Sequence, residues 1–171
     1  MTRPMLAAVL ALALLAFGCG RTGGGGTAND VPPAPDSAFG LRIAGDDAGD
    51  FLSARMRIKS VRVTSGGTVL ADDLRTPEME LTAPDSSYLL TRFQPAAGTE
   101  DVEFEVAFES GTVVTANGSQ ALEAACEVIR LPAKVSQIAQ RKHAVIHLDL
   151  SRSLMPSTGG WALVPHFRLM Y

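Results

Sequence analysis

The stretch Val102-Glu103-Phe104-Glu105-Val106-Ala107-Phe108-Glu109 limits the possible folds more than any other part of the chain. Its even-numbered side chains are all apolar, and Glu103, Glu105 and Glu109 take the other face. A period of two marks a strand with one side in a core and the other in water, as antiparallel sheets provide. The same period recurs in Phe39-Gly-Leu41-Arg-Ile43, in Ala144-Val-Ile146-His-Leu148-Asp-Leu150 and in Trp161-Ala-Leu163-Val-Pro165-His-Phe167-Arg-Leu169. Met56-Arg-Ile58 alternates on one parity and Val61-Arg-Val63 on the other, which predicts a bulge or bend at Lys59-Ser60.

Turn chemistry punctuates these runs. Ser65-Gly66-Gly67 and Asn117-Gly118 are strong turn signals, and Ser110-Gly111 predicts a hairpin into Thr112-Val113-Val114-Thr115. Asn117-Gly118-Ser119 also has the form of a glycosylation acceptor, but Asn-Gly suits the positive φ angles of a tight turn. Short strand candidates at Met79-Glu-Leu81 and Tyr88 to Phe93 are bounded by Pro77, Pro84 and Pro95. The last two alternating segments, 144–150 and 161–169, read as neighbouring antiparallel strands, with Pro165 at an edge or bulge because it cannot donate to a ladder. Residues 120–125 have helical propensity, and Cys126 to Leu131 looks extended, so a short helix near residues 119–126 and a continued strand both fit. The expected fold is all-β, an antiparallel two-sheet sandwich of about eight strands.

The amino-terminal end has a different character. Arg3 gives a short positive region, Leu6 to Phe17 carries no charge, and Ala16-Phe17-Gly18-Cys19 is a small-residue exit. These parts in this order predict a secretory signal over residues 1–18, since the apolar run falls short of the ~20 residues a spanning helix needs. With Gly18 directly before Cys19, the run resembles the lipobox of bacterial lipoproteins, although Ala16 and Phe17 depart from its usual residues. The resemblance implies lipid on the Cys19 thiol and removal of the leader before it. Attachment to the membrane through that lipid follows, and several acyl chains would contribute about 0.8 kcal/mol per buried CH₂. Gly20 stands where some lipoproteins carry an Asp that retains them in the inner membrane, so the same resemblance implies an outer-membrane destination in a host with two membranes. Residues 19–37, glycine-rich and then proline-rich, read as a flexible tether reaching about 25 Å. The folded domain is then expected over 38–171, within the size range of one core.

Leu148-Asp149-Leu150-Ser151-Arg152-Ser153-Leu154, followed by Trp161 to Arg168 with its Pro-x-x-Arg ending, resembles the closing motif of an uncharacterised domain of bacterial surface lipoproteins. That domain is similar to the prealbumin-like and carboxypeptidase-regulatory-like β-sandwiches. Pro95-Ala-Ala-Gly98 resembles the family's turn into its central strand, whereas Ala44-Gly-Asp-Asp-Ala replaces its Asp-Ala-Pro and His147 replaces an acid. The resemblance implies the fold and a place at the cell envelope, and no activity.

Fifteen Lys and Arg against eighteen Asp and Glu, without a basic cluster, give no footprint for nucleic acid. Of the two cysteines, Cys126 has no intrachain partner if Cys19 carries lipid, and no base stands near it in sequence to activate it; it reads as a small core residue. The residue types best suited to chemistry are His147, Asp149 and His166. On paired strands they would share a face and offer imidazole and carboxylate to a metal or a proton relay, although zinc sites require three or four ligands in fixed geometry. The simpler account makes them the polar outer face of a half-buried sheet, with Asp149 paired to Arg168 or Arg152. Asp46-Asp47-Ala-Gly-Asp50 offers oxygen ligands but lacks the spacing of a calcium loop and reads as a solvated turn. No Gly-x-Ser-x-Gly elbow or nucleotide-binding glycine loop is present, so no cofactor is implied. Trp161, Tyr88, Tyr171 and the phenylalanines offer rings for stacking a sugar, but their alternation with polar residues favours core packing. The expected function is a non-catalytic binding or structural module for an envelope protein or a glycan. The alternative is a metal-binding or hydrolytic protein using His147, Asp149 and His166.

Overall fold

A ladder between two unusually long strands, β2 and β6 below, organises the domain in the computed structural model, which describes residues 38–126 and 128–171. The leader, Cys19 and the tether lie outside the described residues. In chain order the elements are β1 (Phe39–Asp46), β2 (Ser53–Ser65), β3 (Thr68–Ala71), β4 (Glu78–Glu80), β5 (Tyr88–Phe93), β6 (Asp101–Thr115) and β7 (Gly118–Ala124). There follow β8 (Val128–Lys134), α1 (Val135–Arg141), β9 (His143–Asp149), α2 (Leu150–Ser153), β10 (Leu154–Ser157), β11 (Gly160–Leu163) and β12 (Phe167–Met170).

The strands form two sheets. One has four strands in the order β12-β9-β1-β5; the other has eight, β10-β11-β7-β6-β2-β3, with β4 added to β2 and β8 to β6. The all-β, two-sheet architecture expected from the alternation is therefore present. Two ladders, β1 with β9 and β7 with β11, run parallel, and the remaining ladders run antiparallel. The inner faces meet in one apolar cluster that draws Leu41, Ile43, Ile146 and Leu148 from the smaller sheet and Val61, Val63, Phe104 and Val106 from the larger. Phe93 on β5 bridges the sheets by stacking edge-on against Phe104, with centroids 5.5 Å apart.

The expected bulge at Lys59-Ser60 exists, and β6 carries a matching one. Met56 pairs with Gly111 and Ile58 with Phe108, so β6 has one extra residue; Ser60 then pairs with Ala107, so β2 has one extra residue. Each bulge reverses the inward parity of its strand. Ala54, Met56 and Ile58 are buried on one side of the irregularity and Val61 and Val63 on the other; on β6 the buried set passes from Val102, Phe104, Val106 and Phe108 to Val113. Ser110-Gly111 is consequently no hairpin. The chain runs straight through it, exchanging β8 for β7 as the second neighbour of β6. A Cβ at Gly111 would lie 2.3 Å from the Arg55 carbonyl oxygen, so the glycine serves close backbone approach, not a turn.

The segment near residues 119–126 is strand as far as Ala124 and then bends, a correction to the helical option. Pairing to β6 on one side and β11 on the other satisfies its backbone and overrides a modest helical propensity. The helix falls later, at Val135–Arg141, and ends where Lys142 adopts a left-handed φ of 58°. Segment 161–169 is also divided. Residues 160–163 form β11 in the larger sheet, and the chain crosses at Val164-Pro165-His166 to form β12 beside β9. Pro165 thus sits in a connection where no ladder needs its missing amide.

Candidate functional site

Alternation along β9 buries Ala144, Ile146 and Leu148 and turns His143, Val145, His147 and Asp149 outward. At the carboxyl ends of β1 and β9 the chain brings the expected trio together. His147, Asp149 and His166, with Asp46, Asp47 and Arg168, line one pocket of about 320 Å³. The paired strands supply this proximity directly, since His147 opposes Arg168 across β9 and β12 and Asp46 opposes Asp149 across β1 and β9.

The contacts differ from those expected. Arg168 pairs with Asp46, not with Asp149. His147 Nδ1 lies 3.5 Å from the same Asp46 carboxylate and is buried without a hydrogen-bond partner. Asp149 caps α2, accepting from the Arg152 backbone N–H at 3.0 Å and from the Ser151 hydroxyl at 2.9 Å. His166 is held through its backbone. Its N–H donates to the buried Ser153 Oγ at 2.8 Å, and its carbonyl accepts from the Ser153 hydroxyl at 3.2 Å and from the Asp149 N–H at 2.9 Å. Among the described residues no group of three or more His, Cys, Asp and Glu side chains is placed to hold a metal ion.

The acidic loop after β1 is a clasp on this corner. Asp47 takes a left-handed φ of 46°; its carbonyl accepts from Ser151 N–H at 3.0 Å and its carboxylate from the Ser151 hydroxyl at 2.8 Å. One serine hydroxyl therefore lies between two carboxylates and ties residues 104 positions apart. Cys126, expected in the core, is exposed in the turn after β7, with Sγ 3.3 Å from the Val128 carbonyl. The chain must leave the sheet there to reach β8, which removes the position from the interior.

Two other surface features escaped the sequence reading. Glu80, at the end of β4, beside a cleft of about 420 Å³, gathers four donors: the Ser53 hydroxyl, the Ala54 N–H at 2.8 Å, the Thr82 N–H at 3.2 Å and the Thr82 hydroxyl at 2.6 Å. Partial burial pushes its pKa up, but the hydrogen bonds together outweigh that and leave it below its ordinary value. Nothing in Glu78-Met-Glu80 distinguishes this carboxylate from an exposed one, because two of its four donors, from Ser53 and Ala54, lie on β2 more than 25 positions away.

The second feature is a groove of about 790 Å³ where Phe51 and Trp161 meet edge to face, with centroids 5.1 Å apart at 83°. Leu52 in the same lining is 69% exposed, and Asp50, Asn117 and Ser151 supply polar groups. The indole N–H is already satisfied by Gln120 Oε1 at 2.7 Å. Of the rings considered for stacking, Phe93, Phe104 and Phe108 are core, and Tyr88 bonds the Glu80 backbone through its hydroxyl. Trp161 lines a surface. No protein-family model matches the chain, and comparisons with curated proteins and with solved structures find no match.

Proposed function

We propose that this chain is a bacterial envelope lipoprotein, held at the outer membrane by lipid on Cys19, whose β-sandwich is a non-catalytic binding module. The partner is another envelope protein or a glycan, met at the Phe51–Trp161 groove. The observation that carries this reading is the groove's make-up: an exposed Leu52 and two half-buried rings with a polar surround, where sandwich loops converge. The polar trio supports it from the other direction. Asp149 is committed to capping α2, and His166 is pinned at its backbone, so both have structural employment.

A second reading, a metal-binding or hydrolytic protein, draws on the buried and unpartnered Nδ1 of His147 in a pocket shared with Asp149 and His166. Photo-crosslinking in the envelope separates the two. A crosslinker at Leu52 should capture a protein or glycan that one at Val69, also exposed but outside the groove, does not. Equal labelling from both positions, together with stoichiometric zinc retention lost on His147→Ala, would favour the second reading.

A further inference from the structure

The outer face of the four-stranded sheet carries a second pocket of opposite character at its other end. The parallel β1–β9 ladder begins at Gly40 and His143 and ends at Asp46 and Asp149, so the two pockets stand about 20 Å apart at strand rise. This one measures about 470 Å³, with Gly40, Leu89 and Val145 beside Arg42, Arg92 and His143. Ser87, Ala38 and Lys142 complete it, and no Asp or Glu is among its described lining residues.

Among the described residues both arginines are held there without a counter-charge. Arg42 is clamped by Ser87, its Nε donating to the hydroxyl at 2.9 Å and its Nη2 to the carbonyl at 2.6 Å. Burial, and secondarily the neighbouring Arg92 charge, bring the Arg42 pKa below its ordinary value. Arg92 Nε is buried with no hydrogen-bond partner, a state uncommon for a group whose donors demand acceptors. Among the described residues neither guanidinium lies within ion-pair distance of a carboxylate. His143 directs Nδ1 to the Arg141 carbonyl at 2.8 Å, leaving its other nitrogen for a ligand.

We propose that this pocket binds a phosphate group. Two adjacent guanidiniums exceed what one carboxylate neutralises, whereas a phosphate monoester carries roughly −1.5 to −2 and accepts bidentate bonds from each. The Arg92 Nε–H is the donor that the oxyanion satisfies, and the apolar Leu89 and Val145 surface accommodates the group the phosphate is attached to. The phosphate belongs either to a soluble ester or to a lipid headgroup. The site is separate from the aromatic groove, and its failure would leave that reading untouched.

The test uses the full-length chain carrying Cys19→Ser, so that no lipid inserts into vesicles and no detergent is needed, and three probes: inorganic phosphate, glycerol 3-phosphate, and vesicles containing phosphatidic acid against phosphatidylcholine alone. Calorimetry and vesicle co-sedimentation should show binding by the parent chain that Arg42→Gln and Arg92→Gln each weaken at least tenfold, with Arg152→Gln unchanged. Glycerol 3-phosphate binding identifies the soluble source; binding to phosphatidic acid vesicles alone identifies the headgroup. A rise in melting temperature with the bound probe in the parent chain, absent in Arg92→Gln, guards against loss by misfolding, and Arg92→Lys, which keeps the charge, should retain part of the binding. Failure of all three probes to bind, or equal binding by the parent and both arginine variants, overturns the proposal.

Discussion

Substituting Gly111 by alanine should break the ladder that organises the domain. The added Cβ would lie 2.3 Å from the Arg55 carbonyl oxygen and 3.3 Å from Leu122 Cδ2. Ordinary van der Waals separation requires β2 and β6 to part by roughly 1 Å there. Overpacking of this kind costs about 1–3 kcal/mol, and each ladder hydrogen bond lost adds about 1 kcal/mol. The loss should total about 3 kcal/mol, or roughly 10 °C in melting temperature for a domain of this size. Gly111 is not among the residues at positive φ, so no dihedral penalty enters, and alanine's smaller unfolded-state entropy works against the loss by about 0.4–1 kcal/mol. Gly40→Ala is the matched control, because its Cβ meets nothing closer than Leu89 Cδ1 at 3.5 Å. Urea unfolding followed by the single tryptophan, Trp161, and by circular dichroism measures both variants. Gly40→Ala should equal or exceed the parent in stability. If Gly111→Ala stays within about 0.5 kcal/mol of the parent, the range of ordinary surface substitutions, the paired-bulge account of β2 and β6 fails.

Ser153→Ala removes a buried hydroxyl that both donates to and accepts from the His166 backbone, and should cost about 1–3 kcal/mol in urea unfolding; no loss would mean that Ser153 does not hold the β11–β12 crossing. Glu80 has a folded pKa below its ordinary value, so its contribution is present at neutral pH and is lost as pH falls from about 4.5 through the folded value. The parent should therefore lose more stability across that window than Glu80→Gln does; parallel stability–pH curves would contradict the assignment. Cys19→Ser should release the protein from membranes into the soluble fraction, and retention after high-salt washing would rule out the lipid as the anchor.

The strands were legible wherever one face is buried. Val102 to Phe108 and the parity change between Ile58 and Val61 carry their burial in the residue order itself, because a pleated strand has no other way to sort its side chains. Pairing partners were less legible. Ser110-Gly111 has turn composition, yet its glycine answers a backbone approach from Arg55, 56 positions away, which local chemistry does not encode. Residues 120–125 have helical propensity but pair with β6 across the Asn117-Gly118 turn on one side and with β11, about 40 residues on, at the other. The candidate site divides in the same way. His147, Asp149 and His166 share a pocket as their spacing implied, but Asp46 displaced Asp149 as the partner of Arg168 because a parallel β1 lies beside β9. Phe51 and Trp161 are more than a hundred residues apart, and only the folded chain makes a surface of them.

The amino terminus of the mature protein tests most directly whether a lipid holds the module at the membrane. Mass spectrometry of protein recovered from the membranes of its native host should find a polypeptide beginning at Cys19 with acyl chains on that residue. A mature chain carrying an unmodified Cys19 thiol, or one cleaved elsewhere, would contradict it.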